Sequence, residues 1–329
     1  MEIPDNPRRG LTLQTFMSSE GRVESLALRE KKLMKQLSRK VFLRILRLAF
    51  FGALALPMFA EAAPVHGLWL WGTLTVLKEP RSVETLLVFC QSNGINEVYV
   101  SVSDLKGGPE DKQFTDLIAH LHQSNIRVEA LMGDSNADEP GAPREKLLEQ
   151  VRGIVHFNQM HAKDRFDGIH LDIEPQQRPE NYGPDNIKFL PGLVDAYRDV
   201  RKLAEPAHLT VNADIPTKVL KGDHSQRRKL LSALPRLTLM LYELSSPDDG
   251  ESVEKKIEKL RTASSRYLKT AFEGLDDSSL AKLSIGLRTA DYGDLLPRML
   301  KTLDEAHRTK PHYGGWARQS YNDYLKAAH

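Results

Sequence analysis

From residue 66 onward, short apolar runs rich in β-branched and aromatic residues alternate with longer stretches whose apolar positions recur every three or four residues. The first pattern reads as strand and the second as amphipathic helix. Eight strands are predicted: GLWLW (67–71), NEVYVSVS (96–103), RVEALMG (127–133), DGIHLDIE (167–174), LTVNADI (209–215), LTLMLYEL (237–244), KLSIGLR (282–288) and YGGWA (313–317). Helices are predicted between them at 80–93, 111–124, 143–161, 186–204, 225–233, 253–270 and 295–308, and a brief SYNDYLKAA closes the chain. Pro80 near a helix start and Gly94 just past its end follow the usual placement of those residues. Strict alternation of strand and helix implies right-handed βαβ units and a parallel sheet. Eight such units over residues 64–329 match a single-domain (β/α)8 barrel, whose reactive end is the carboxyl end of its strands. An open doubly wound sheet is the competing architecture, but its glycine-rich phosphate turn after the first strand is absent.

Composition alters this picture mainly at the amino terminus. The chain has 329 residues, 40% hydrophobic and 27% charged, an ordinary globular balance. Its formal net charge is +2, but residues 1–62 hold 11 of the 46 Lys+Arg and 6 of the 44 Asp+Glu, which leaves 35 basic and 38 acidic residues, a net of −3. A slightly acidic body has no electrostatic footprint for nucleic acid, so none is expected as a partner. The basic excess falls instead before the apolar run LAFFGALALPMFA (48–60), followed by Ala60-Glu61-Ala62, which reads as a secretory signal segment cleaved near Ala62. That run is shorter than the ~20 residues a membrane-spanning helix needs, so no span is expected in the mature chain. The polar residues ahead of it point to a translation start at Met34, and the product is expected in the periplasm or outside the cell. The single cysteine, Cys90, sits in an amphipathic stretch as a small core residue would.

Candidate chemistry concentrates in FDGIHLDIEP (166–175). Side chains alternate along a strand, so His170, Asp172 and Glu174 share one face while Ile169, Leu171 and Ile173 share the other. The apolar set would pack on the helices and the polar set would point into the barrel, with Glu174 nearest the carboxyl end. Ionisable groups inside a barrel are costly unless they are paired or used.

Asp167-Gly168-Ile169-His170-Leu171-Asp172-Ile173-Glu174 resembles the D-G-x-D-x-D-x-E signature of family-18 glycoside hydrolases, the chitinase-like barrels, with His170 in place of the second aspartate. The likeness is that of a remote relative. It implies a (β/α)8 fold, Glu174 as proton donor and Asp172 as the residue that orients a substrate acetamido group. Met240-Leu241-Tyr242 is similar to the family's M-x-Y, whose tyrosine contacts the acetamido-derived intermediate. Trp316 is similar to the aromatic floor of its sugar subsite. The family's S-x-G-G on strand three is absent: the chain reads Ala130-Leu131-Met132-Gly133-Asp134.

Glycoside cleavage needs a carboxylic acid of raised pKa and a second group facing the oxocarbenium-like centre. Glu174 suits the first role. Substrate assistance positioned by Asp172, with Tyr242 donating to the acetamido oxygen, is what the resemblance implies for the second. A direct alternative pairs Glu174 with Asp214 or Glu243 near the rim. Strand seven offers only Asp291 where many retaining barrels carry a nucleophilic glutamate. His170, Asp167, Trp71, Asp214, Met240, Glu243 and Trp316 complete the expected sugar-contacting set, and Trp69, Tyr99, Tyr182, Tyr292 and Tyr321 are further aromatics near strand ends. The expected molecule is a monomeric, cofactor-free glycosidase acting on a polysaccharide or acetamido-sugar glycan. Two rivals stand beside it. A metal hydrolase would use His170, Asp172 and Glu174 with ligands from His66, Asp104, Asp134 or Asp214, although same-face neighbours lie ~6.6 Å apart along a strand. A non-catalytic carbohydrate-binding barrel would use the same groove, but retention of Glu174 argues for activity.

Overall fold

The computed structural model describes residues 64–327 except Pro80, Asp104, Lys106, Pro109, Asp248 and Asp276. The polar leader, the signal segment, the start at Met34 and the cleavage near Ala62 lie outside the described residues, as do Pro80 and Asp104.

Eight parallel strands close into one barrel in chain order: β1 Val65–Leu70, β2 Glu97–Ser101, β3 Arg127–Met132, β4 Gly168–Leu171, β5 Thr210–Pro216, β6 Arg236–Met240, β7 Lys282–Arg288 and β8 Tyr313–Gln319. β8 returns to β1 with Trp316 opposite His66 and Ala317 opposite Gly67. The fold is therefore a single-domain (β/α)8 barrel, with every predicted strand present. The predicted helices appear as Ser82–Ser92, Asp111–Gln123, Ala142–Met160, Leu190–Ala204, His224–Leu231, Val253–Phe272, Leu296–His307 and Tyr321–Ala327. Two short ones, Thr73–Leu77 after β1 and Thr289–Tyr292 after β7, were not predicted, because a helix of one turn carries no readable period.

Local chemistry explains the boundaries. Gly94, at φ 64°, takes the left-handed conformation just after Ser82–Ser92, where a side chain would be strained. Asp223 and Gln226 form a reciprocal capping box at the start of His224–Leu231. Two predicted strands end three or four residues early. β4 stops at Leu171, although the Asp172 N–H still donates to the Met132 carbonyl at 2.9 Å. Pro175 then opens a tight 3-10 turn, so Asp172 and Glu174 stand on the chain leaving the sheet. β6 stops at Met240, and the chain turns away at Glu243, whose φ is 63°.

Outward residues such as Leu68, Leu70, Ile169, Leu171, Leu237 and Leu239 pack on the helices in one continuous core. Each such side chain contributes roughly 1.5–3 kcal/mol by leaving water. Cys90 is part of that core, and burial pushes its thiol up to about 12. The barrel interior is different: Trp69, Tyr99, Leu131 and Ala317 form a small separate cluster, and many other inward positions are polar, among them Glu97, Glu129, His170, Asn212, Asp214, Thr238 and Ser284. Among the described residues, no helix is long and apolar enough to cross a membrane.

Candidate active site

The interior reads as layers from the amino to the carboxyl end of the strands. At the floor, Arg236 of β6 reaches across the barrel to Glu97 of β2 and to Glu129 of β3. Arg127 also meets Glu97 at 3.3 Å, and the Asn212 amide donates to Glu129 at 2.6 Å. Burial and the neighbouring Glu129 raise the Glu97 carboxyl, against the pull of Arg236. Burial would raise Glu129 as well, but Arg236 and His170 hold it below the ordinary value.

The middle layer is built around His170. Its Nδ1 lies 3.2 Å from Glu129 and its Nε2 lies 2.9 Å from Asp214. The ring stacks on Tyr99 at 3.7 Å between centroids and meets Trp69 edge-on. The Trp69 indole donates to the second Asp214 oxygen at 2.9 Å. Burial alone would lower the imidazole pKa, but attraction and hydrogen bonding from Asp214 and then Glu129 raise it from 6.5 to about 9.

Above this layer stand Asp172, Glu174 and Tyr242. Among the described residues neither carboxylate has a cationic partner, whereas the three anions beneath are matched by Arg127, Arg236 and His170. The Asp172 carboxyl is raised well above the usual range by burial, then by repulsion from Asp214 and Glu174, and one of its oxygens is buried with no hydrogen-bond partner. Glu174 is raised by burial and by Asp214, against hydrogen bonding from Gln176 at 3.0 Å; Gln177 donates to its other oxygen. Burial and the charges of Asp214, Asp172 and Glu174 hold the Tyr242 phenol protonated, and the Arg288 guanidinium lies over its ring at 4.8 Å. Gly133 follows β3, in the stretch that lacks S-x-G-G: a Cβ there would overlap the Asp172 carbonyl, so the chain admits only glycine at this crossing. The pairing of His170 with Glu129, the floor pairs of Arg236 and the glutamines beside Glu174 were not anticipated. The sequence contains these residues but no signal of which strands bring them together.

Several expected contacts are corrected. His170 is fully buried with both ring nitrogens taken by carboxylates, and Asp214 has both oxygens taken by His170 and Trp69, so neither presents a free group to a sugar. Asp167 precedes β4 at the amino end, where it meets His122 at 2.9 Å and the Val128 N–H. Glu243 turns outward, its side chain 83% exposed. Trp316 points off the barrel: its indole donates to Asp304 of Leu296–His307 at 3.0 Å and its ring stacks on His66 at 4.2 Å. Strand alternation accounts for this last case, since the adjacent Ala317 is the inward residue. Trp71 does stand at the end of β1, packed on the interior cluster, with the Asn322 amide bracketing its backbone. Met240 is buried at the end of β6 in neither packed cluster. Trp69 and Tyr99 fill the barrel, Tyr292 and Tyr321 are buried, and Tyr182 is 64% exposed.

The alternative chemistries are constrained by the same geometry. Asp291 is clamped by Arg288 at 2.7 Å and accepts the Glu243 N–H, which leaves strand seven no free carboxylate to act as nucleophile. His66 pairs with Asp304 and Asp134 with Lys146, so neither converges with His170. Among the described residues no group of three or more His, Cys, Asp or Glu side chains is arranged to hold a metal ion. A cavity of about 720 Å³ borders Ala142–Met160, lined by Val102, Leu105, Ile154, Phe157 and Met160, and includes none of the carboxylates above.

No protein-family model matches the chain. Solved structures to which it is similar include a chitinase from Chromobacterium violaceum, with a TM-score of 0.48 and 13% identity over 78% of this chain and 94% of that one. The PgaB glycoside hydrolase domain of Bordetella bronchiseptica matches with a TM-score of 0.48 and 12% identity over 80% and 95%. The spore cortex-lytic enzyme SleL of Bacillus megaterium matches with a TM-score of 0.48 and 11% identity over 78% and 70%.

Proposed function

We propose that the chain is a glycoside hydrolase acting on an acetamido-sugar glycan, with Glu174 as general acid. The observation that carries this reading is the grouping of Glu174, Asp172 and Tyr242 at the carboxyl end of the barrel, with both carboxyls displaced toward their protonated forms and neither in a salt bridge among the described residues. A carboxyl whose pKa is raised holds its proton to higher pH and can deliver it to a departing glycosidic oxygen.

In the proposed reaction Glu174 gives its proton to the bridging oxygen as the bond from that oxygen to the anomeric carbon breaks. The sugar's own acetamido carbonyl oxygen attacks the anomeric carbon, and Asp172 accepts the amide N–H so that the carbonyl is aimed correctly. The protonated Tyr242 donates to the acetamido oxygen. Glu174, now a carboxylate, takes a proton from water, which opens the cyclic intermediate and regenerates the starting sugar amide. Trp71 is the aromatic surface best placed to carry a sugar face. The pattern of residues 35–62 extends the proposal to an exported enzyme, and the amino-terminal sequence of the protein recovered from its native host tests that part.

The test is turnover of acetamido-sugar polymers, peptidoglycan and galactosaminoglycans by the described domain, with and without chelator, beside Glu174→Gln. Loss of about a hundredfold or more in kcat for the variant, with indifference to chelator, is expected. Chelator-sensitive turnover would overturn the reading in favour of a metal hydrolase. Binding without turnover by either protein would make the barrel a lectin.

A further inference from the structure

We infer that His170 and Asp214 form a fixed imidazolium–carboxylate pair that acts as a positioning device for the acid: it sets a permanent negative charge beneath Glu174 and Asp172. The inference rests on the glycosidase reading for its catalytic consequence, but the pair itself stands on geometry. Carboxylates only accept hydrogen bonds, and His170 faces one from each ring nitrogen, Glu129 at 3.2 Å and Asp214 at 2.9 Å. A neutral imidazole has a single N–H, so both contacts are made only when the ring carries two protons and a positive charge. Neither carboxylate is free to supply the missing proton at low cost. Glu129 also accepts from Asn212 and faces Arg236, and Asp214 also accepts the Trp69 indole N–H.

The surroundings on the neighbouring strands reinforce the assignment. Tyr99 of β2 stacks on the imidazole and Trp69 of β1 closes its edge, so water is excluded. Glu97 of β2 and Arg236 of β6 form the charged floor, Asp172 lies just past the end of β4, and Tyr197 from Leu190–Ala204 donates to the Asp214 backbone carbonyl at 3.0 Å. Both Asp214 carboxylate oxygens are thus engaged inside the barrel rather than turned toward a substrate. The Asp214 charge acts directly on Asp172, Glu174 and Tyr242. The replacement of an aspartate by His170 in the strand-four pattern accordingly exchanges a neighbour that could share a proton with Asp172 for a cation that instead locks the adjacent strand's carboxylate.

Two measurements on the folded domain decide the matter. In wild-type protein with labelled histidine, magnetic resonance should find one ring with both nitrogens protonated at pH 7.5 and titrating near pH 9; a neutral His170 ring at that pH overturns the pair. In near-isosteric Asp214→Asn, the carboxyl resonance of Glu174, assigned through Glu174→Gln, should titrate at lower pH than in wild type. The descending alkaline limb of the kcat profile should move down with it, by about one pH unit or more. An unmoved Glu174 titration overturns the proposal, as does a uniform loss of kcat with no shift of the limb. If no glycan is turned over the glycosidase reading falls, while the resonance titrations still judge the pair in wild type and variant alike.

Discussion

Asp172 is the residue whose energetics and function conflict most openly. Its side chain is half-buried, repelled by Asp214 and Glu174, and one carboxyl oxygen is buried without a partner among the described residues. The folded state therefore binds this proton more tightly than the unfolded chain does, so the associated stability is present at acid pH and is lost as pH rises through the raised folded value. Asp172→Asn removes that loss. The variant is expected to be more stable than wild type at pH 8 by about 1 kcal/mol, or about 2–4 °C in Tm, with the gain shrinking toward pH 4 and with turnover abolished. Calorimetry at the two pH values checks this; a variant less stable than wild type at pH 8 contradicts it. His170 obeys the same sign for a different reason. Its raised value means that stability is fully present below pH 6.5 and is lost as pH rises through about 9, on the order of 3 kcal/mol in all.

At the scale of elements, the site depends on how closely β3 and the end of β4 approach. Gly133 follows β3 and faces the Asp172 backbone, and the Asp172 N–H is bonded to the Met132 carbonyl. Gly133→Ala must push the two segments apart and carry Asp172 with them. A stability loss of about 1–3 kcal/mol is expected, together with a fall in kcat larger than in KM. Thermal melts and steady-state kinetics check both, and a variant with wild-type activity would show that the approach does not position Asp172. The early ends of β4 and β6 belong to this scale too. A strand pattern continues through Glu174 and Leu244, but a ladder ends where its neighbour ends: β3 stops at Met132, opposite Leu171, and β5 stops at Pro216, opposite Met240. Apolar alternation along one segment does not contain that limit.

At the scale of the whole molecule, Arg236 ties together β2, β3 and β6 through the barrel interior, a link that no pair of adjacent strands could make. Arg236→Met leaves buried Glu97 with only the half-exposed Arg127 and buried Glu129 with Arg127 and His170. A loss of about 3–5 kcal/mol is expected, since removing one partner strands the other charges. The loss should be larger at pH 8 than at pH 5, where the glutamates can take up protons; denaturant unfolding at both pH values measures it, and equal losses would contradict the ionic origin.

The chain pattern by itself determined the eight strands, the helices between them and the barrel they imply, because periods of two and 3.6 are local properties of the backbone. It also singled out Glu174, Asp172, Tyr242 and Trp71 at the carboxyl ends, since position along a parallel strand sets depth in the barrel. Only the tertiary structure decided what those depths contain. Trp316 and Ala317 are neighbours in sequence, yet one faces a helix and the other the interior; Asp167 and Asp172 share one motif, yet they stand at opposite ends of β4. His170 is legible as an inward residue, but its partners Glu129 and Asp214 lie 41 and 44 residues away. Electrostatic environment is a property of whichever strands closure brings side by side, and that proximity is not written in any single segment.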